Sequence, residues 1–484
     1  MHLQRVQVPD FRVLKDVDIT FEHDFNPRVF PLGSQNGGGK STLLQLIFIL
    51  LHCSTNPERL PALKNLLSGF NLREEEDKKI LAIIDIWEGE KLVQLEFFVC
   101  QDNYINKALN LTGKEEKKLA ASFLLFTHLQ ELQQKISGFQ NQENQLKNIL
   151  RQFENRQSSS SPYKKFPDDL KIELLNLNIN FDSIEIEFSD PNFLSRIEKE
   201  TKAKLQNEHR KIEIQSQVVS EFIDEMLILL KSENTEYITV YPSLEEGANN
   251  RALLCHINNL DMDAAKHFLS KLSNKIFLAA PSTQVFLFLS QKSRRSLFRN
   301  SIDYYSDLMR ANSMLSGLFT YNLLAIEIII AAFKKARDSD FKEALETGEY
   351  GNNYKKLLND LDFLTYDKQI NLTTDFSGIT FKINRFTDTV ELYPEDLSHG
   401  ELKRLNVYIW LKSQYIQDAI VLMDEVDLAL HPDWQYQIVS DLVEWEPSNQ
   451  YILATHSYEL CQALTPSHVK ILEPKLTERI SGKS

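Results

Sequence analysis

The run Ser34-Gln35-Asn36-Gly37-Gly38-Gly39-Lys40-Ser41-Thr42 constrains this chain more than any other stretch, because it sits between a strand pattern and a helix pattern. Val29 and Phe30 read as a short strand, and residues 41–51 as an apolar helix. A strand that turns through glycines into a helix aims backbone N–H groups and the positive helix end at one point, which suits a phosphate. The spacing fits a phosphate-binding loop except at its first glycine, where Ser34 stands with Gly33 immediately before it. Lys40 is expected to neutralise β and γ phosphates and Ser41 to ligate Mg²⁺, with Asn36, Gly37, Gly38, Gly39 and Thr42 around the bound nucleotide. ATP and Mg²⁺ are therefore the expected cofactors.

Residues 419–425 form an apolar strand that ends in two acids, the second half of such a site. Asp424 can hold the Mg²⁺ shell, while Glu425 can polarise the water that attacks the γ-phosphate. Leu397-Ser398-His399-Gly400-Glu401 precedes a helix over residues 402–410, so Ser398 and the Gly400 backbone lie at its positive end. Taken alone, the same five residues are an ordinary cap, with Ser398 as N-cap and Glu401 at the capping-box position. A further strand, 451–454, ends at Thr455-His456-Ser457.

The chain has 484 residues, enough for one large core with insertions. Its apolar share of 42% and charged share of 25% are globular values, and the net charge of −14 restricts any nucleic-acid contact to a local basic patch. No apolar stretch approaches the ~20 residues that cross a bilayer, and the first 22 residues alternate like strands, so no membrane and a cytoplasmic site are expected. The four cysteines form no CxxC pair, which predicts buried thiols and no metal site.

Four segments are expected: 1–102 as the N-terminal part of an α/β head, 103–275 as an insertion, 276–392 as a strand with a helical lobe, and 393–484 as the rest of the head. Within the insertion, Leu125, Leu129, Leu132, Ile136, Phe139, Leu146, Leu150 and Phe153 follow coiled-coil spacing. An alternating stretch over 179–188 and a second long helix over 192–230 complete a short arm. Residues 296–364 read as largely helical, and 379–383 with 389–392 as a hairpin.

The order of these motifs resembles the ATP-binding cassette superfamily, and the opening residues 3–21 with Phe11-Arg12 are similar to its RecF, SMC and OLD branch. The resemblance implies a mixed-sheet P-loop head with a helical lobe, and a helical insertion. It also implies that residues 397–401 act as a signature motif, Ser398, Gly400 and Glu401 meeting the γ-phosphate held by a second copy. His399 and Glu401 replace the glycine and glutamine of the usual motif. His456 matches the switch histidine, Arg12 a nucleotide-contacting basic residue, and residues 427–432 a loop at the dimer seam. Gln284 is the candidate Mg²⁺-side glutamine, with Gln291 and Gln101 as competitors.

Within the branch the chain is most similar to PtuA-type ATPases of Septu and retron anti-phage systems. That implies a homodimer or larger oligomer, a slow switch-like ATPase, and an HNH-type effector nuclease supplied in trans. The short stretch after His456 leaves no room for a nuclease domain on this chain. Contact with nucleic acid, DNA or retron RNA–DNA, is the competing expectation, as in a RecF- or SMC-like repair ATPase. Its basic patch would come from Lys292, Arg294, Arg295 and Arg299, or from Lys334, Lys335 and Arg337.

Overall fold

The computed structural model describes residues 1–70, 72, 76–101, 104, 122–157, 193–241, 251–296, 301–321, 325–365, 368–385 and 388–472. The stretch 179–188 and Arg299 lie outside them. The chain divides into two compact units, Met1–Cys100 with Asn234–Ser484, and Gln101–Glu233.

The larger unit opens with the hairpin β1 (His2–Phe11) and β2 (Leu14–Thr20), followed by β3 (Val29–Gly33), α1 (Lys40–Cys53) and α2 (Leu60–Leu67). A second hairpin, β4 (Lys78–Glu88) and β5 (Lys91–Cys100), leads into the smaller unit with α3 (Ser122–Gln157) and α4 (Phe193–Ser232). These two helices pack on each other and bury Leu132, Leu146, Ile149, Ile223, Met226 and Leu230. The expected coiled-coil residues Leu132 and Leu146 are among them. At 36 residues, α3 extends roughly 54 Å.

The larger unit resumes with β6 (Thr235–Tyr241), β7 (Arg251–Asn258), α5 (Met262–Ser273) and β8 (Ile276–Ala280). Then follow α6 (Gln291–Ser296), α7 (Ser301–Met314), β9 (Leu318–Thr320), α8 (Ala325–Thr347) and α9 (Asn353–Leu364). The chain continues through β10 (Lys368–Leu372), β11 (Ile379–Arg385), β12 (Asp388–Leu392) and α10 (His399–Ser413). It ends in β13 (Ile420–Asp424), α11 (Pro432–Trp445), β14 (Gln450–Thr455), α12 (Tyr458–Gln462) and β15 (Lys470–Ile471).

Three sheets result. The first runs β2-β1-β4-β5-β7-β6 and is antiparallel throughout. A bulge in β1 between Leu3 and Arg5 lets Leu3 and Val6, three residues apart, both reach full burial. The second runs β15-β3-β14-β13-β8-β9 and is parallel throughout, with every residue of β13 and β14 buried. Such uninterrupted apolar strands need cover on both faces. On one face lies α1, buried at every residue from Leu43 to Cys53, in a core shared with the first sheet. On the other face α8, α9, α10 and α11 form a second core. The third sheet, β10-β11-β12, is a small antiparallel meander. Gln450, fully buried, binds the first two sheets together by accepting from the Leu3 amide (2.7 Å) and donating to the Leu3 carbonyl (2.9 Å).

Two expectations need correcting. Residues 234–275, placed with the insertion, supply β6, β7 and α5 to the larger unit, because β7 pairs with β5 across the whole intervening unit. The described part of 296–364 is largely helical, and within it β9 adds a parallel edge strand beside β8. Three residues are too few to show a period, so that strand has no signature of its own. The expected hairpin gains a third strand, β10. Cys53, Cys100 and Cys255 are buried and Cys461 is half-buried. Among the described residues no helix is long and apolar enough to cross a membrane.

Candidate functional site

A parallel sheet places the carboxyl ends of its strands along one edge, where loops can converge on a ligand. Here β3 ends at the glycine loop, β13 at Asp424 and Glu425, β14 at Thr455 and His456, and β8 just before Gln284. One edge of one sheet thus gathers residues spread over more than four hundred positions.

The loop after β3 needs its glycines. A Cβ at Gly38 would lie 2.4 Å from Ser34 Oγ, and Gly39 has φ of +91° with Leu14 Cδ2 2.6 Å from where a Cβ would stand. Ser34 therefore fits in the first-glycine position because Gly38 has no side chain. Its Oγ donates to Gln35 O (2.9 Å) and lies 3.1 Å from Lys40 Nζ. Asn36 and Gly37 are exposed, and Thr42 is half-buried.

Lys40 is 7% exposed, yet its ammonium donates only to neutral groups: Ser34 O (3.3 Å), Ser34 Oγ (3.1 Å) and His456 Nε2 (2.9 Å). Among the described residues it forms no ion pair. Burial lowers its pKa, and the more distant Asp424, Asp427 and Glu425 only oppose that shift. A buried cation whose contacts are all neutral is suited to meet an anion.

The acidic side is complementary. Ser41 Oγ donates to Asp424 Oδ1 (3.0 Å), while Asp424 Oδ2 is buried without a hydrogen-bond partner. Burial pushes this carboxyl up to about 6, with Glu425 and Asp427 adding to the shift and Ser41 and Lys40 opposing it. An orphaned carboxylate oxygen beside a serine hydroxyl fits Mg²⁺, a hard cation that takes few protein ligands and fills its shell with phosphate oxygens and water. No cluster of three or more His, Cys, Asp or Glu side chains suited to a metal occurs among the described residues.

Gln284 stands on this side too: its amide donates to Glu425 Oε1 (3.4 Å) and its carbonyl accepts from Gln45 (2.6 Å). Of the three glutamines weighed, it is the one with a contact to Glu425, whereas Gln291 is exposed on α6.

Two residues with no motif of their own shape the acidic loop. Lys403, on α10 just after the signature loop and 8% exposed, donates to Glu425 O (2.6 Å) and Leu428 O (3.1 Å) and lies 4.2 Å from the centre of the Tyr321 ring. Burial pushes its ammonium down to about 8, against the pull of Asp427, Glu425 and Asp424. It holds a turn in which Glu425 has φ of +51° and Ala429 of +68°. Asp427 Oδ1 is a second buried oxygen without a partner. In sequence Lys403 is one of two adjacent charges of α10, with Arg404, and both are buried.

The signature loop is on the surface: Ser398 and His399 are exposed, while Gly400 is buried. Both halves of the capping box form. Ser398 Oγ accepts from the Glu401 amide (3.3 Å), and Glu401 Oε2 accepts from the Ser398 amide (2.9 Å). None of the contacts of Ser398, Gly400 or Glu401 is to Lys40 or Asp424 of the same chain. Arg12 occupies the β1–β2 turn at φ of +53° and donates to Leu66 O (2.8 Å). The proposed basic patches are partly engaged: Arg337 sits on Asp338 (2.7 Å), Lys335 donates to Ser413 O (2.9 Å), and Arg294 has a buried Nε.

A family model described as an AAA ATPase domain matches residues 1–461. The retron Vc95 probable ATPase of Vibrio cholerae serotype O1 biovar El Tor is 47% identical over 54 residues, 11% of this chain and 10% of that protein. The retron Ec83 probable ATPase of Escherichia coli is 39% identical over 55 residues, again 11% and 10%. The matched stretch spans about a tenth of the length of either relative. Among solved structures, the Smc head domain with an extended coiled coil, bound to the C-terminal domain of ScpA and derived from Pyrococcus furiosus, covers 96% of this chain and 91% of its own. Its identity is 13% and its TM-score 0.31, too loose a likeness to carry an argument.

Proposed function

Because the chain belongs to the AAA ATPase domain family, we propose that it binds and slowly hydrolyses Mg-ATP in a site completed by a second copy, and that its nucleotide state controls a separate effector nuclease in anti-phage defence. The observation that carries the nucleotide part is the pairing of unmet groups at one sheet edge: the Lys40 ammonium on neutral acceptors, and Asp424 Oδ2 on none. A triphosphate would supply the anion for the first, and Ser41 and Asp424 would hold a Mg²⁺ that meets the second. That cation would neutralise phosphate charge as it is transferred. Glu425 is the base toward the attacking water, Gln284 orients its carboxylate, and Lys403 fixes its backbone. His456 releases Lys40 and turns to the γ-phosphate, while Arg12 reaches the nucleotide from the β1–β2 turn.

Dimerisation follows from the exposed signature. Ser398 and the Gly400 backbone, oriented by Glu401, would take a phosphate that their own chain does not place there, and a homodimer would supply one reciprocally. Leu428, 56% exposed on the loop held by Lys403, belongs to the same seam. The defence role is supported by the short matches to two retron probable ATPases. An HNH-type nuclease in trans is the expected partner. Purification of the tagged chain from its native host should bring down that nuclease in stoichiometric amount. Recovery of duplex DNA with no protein partner would overturn the effector reading in favour of an SMC-like DNA-binding ATPase.

A further inference from the structure

Glu401 presents an electrostatic problem that the fold answers from a distant strand. A carboxylate in the loop that must receive a phosphate opposes the incoming anion, and the repulsion is strong where water is partly excluded. Glu401 is needed locally all the same. Its Oε2 accepts from both the amide and the hydroxyl of Ser398 (2.9 Å each), so it sets the orientation of the serine that faces outward. Its other oxygen, Oε1, is met by Lys368 Nζ at 2.5 Å, with the two side chains only 14% and 17% exposed. Lys368 opens β10, pairs with Ile383 of β11, and its carbonyl accepts from Thr365 Oγ1 (2.5 Å), so the ammonium is delivered from an ordered strand.

We infer that Lys368 is a positioning residue that neutralises Glu401, allowing the Ser398 loop to accept a phosphate held by a second copy of the chain. The inference rests on the proposed two-copy site. Burial pushes the Glu401 carboxyl up, but Lys368 and the Ser398 donors together outweigh burial and hold it below the usual glutamate range. The carboxylate therefore stays ionised and its counter-charge must be maintained. Capping alone needs no lysine, since a glutamine at 401 would orient Ser398 without any charge.

That difference defines the test. ATP-driven dimerisation is measured by analytical ultracentrifugation in a Glu425→Gln background, which keeps nucleotide bound. Lys368→Met should weaken the dimer at least tenfold, Lys368→Arg should leave it within about twofold, and adding Glu401→Gln to Lys368→Met should restore it. A Lys368→Met dimer as tight as the parent, or a double variant as weak as Lys368→Met, overturns the inference. Lys368→Gln repeats the comparison if the methionine variant does not fold. Ser398→Arg separates the two levels: if it leaves the ATP-driven dimer intact, the two-copy site itself is wrong and the role of Lys368 falls with it. If it breaks the dimer while Lys368→Met does not, only the role of Lys368 is wrong.

Discussion

Lys40→Ala is expected to remove ATP binding, lowering affinity by a factor of ~100 or more. Loss of a buried charge-assisted contact to phosphate costs about 3 kcal/mol or more, and each 1.4 kcal/mol is tenfold. The wild-type ammonium is already desolvated and lies among Ser34 and His456 without a carboxylate in contact, so little has to be broken before phosphate can be gained. Alanine is the best helix former and stands at the first residue of α1, so the fold should persist. Thermal denaturation with and without Mg-ATP checks this. Wild-type protein should melt higher with nucleotide, because a ligand that binds only the folded state stabilises it by mass action. The alanine variant should melt at the same temperature in both, and a nucleotide-dependent rise like that of wild type would refute the role of Lys40.

Glu425→Gln should behave in the opposite way, with ATP retained and turnover reduced by about 10²–10⁴, the usual contribution of a positioned general base. Glutamine preserves the length of the side chain and leaves the backbone turn untouched, which Lys403 holds through the Glu425 carbonyl. The amide cannot take a proton from water, so the bound nucleotide should persist. Single-turnover hydrolysis alongside equilibrium ATP binding separates the two quantities. Turnover at the wild-type rate would show that another group serves as base.

The nucleotide half of the site was legible because its chemistry is local in sequence. A strand, a glycine turn and a helix follow one another within the 25 residues from Val29 to Cys53, and the acidic pair ends an apolar strand, so spacing alone points to phosphate and cation. The parallel sheet followed from the same features, since β3, β13 and β14 each read as short apolar strands ahead of a motif. What spacing cannot show is a contact made across the fold. Lys368 lies 33 residues from Glu401, and Lys403 reaches Glu425 across 22. Each is an ordinary lysine until the strand or helix that carries it is placed. The return of β6 and β7 to the first sheet was hidden for a similar reason. Residues 235–241 are rich in β-branched and aromatic side chains, but β6 joins the sheet through β7, whose partner β5 precedes the entire intervening unit. The departure at Glu401 illustrates both limits, because its meaning depends on a cation that the motif does not contain.

Two inactive chains can report on whether the site is shared between copies. Lys40→Ala lacks the phosphate loop's cation but keeps its signature; Ser398→Arg keeps the loop but blocks the signature. In a mixed dimer, Lys40 of one chain meets Ser398 of the other at one intact site. ATP hydrolysis is measured for each variant alone and for the equimolar mixture. A site shared across a symmetric dimer predicts that the mixture recovers up to about a quarter of wild-type activity, since half the dimers are mixed and each has one intact site of two. A mixture no more active than the two variants measured separately would contradict it.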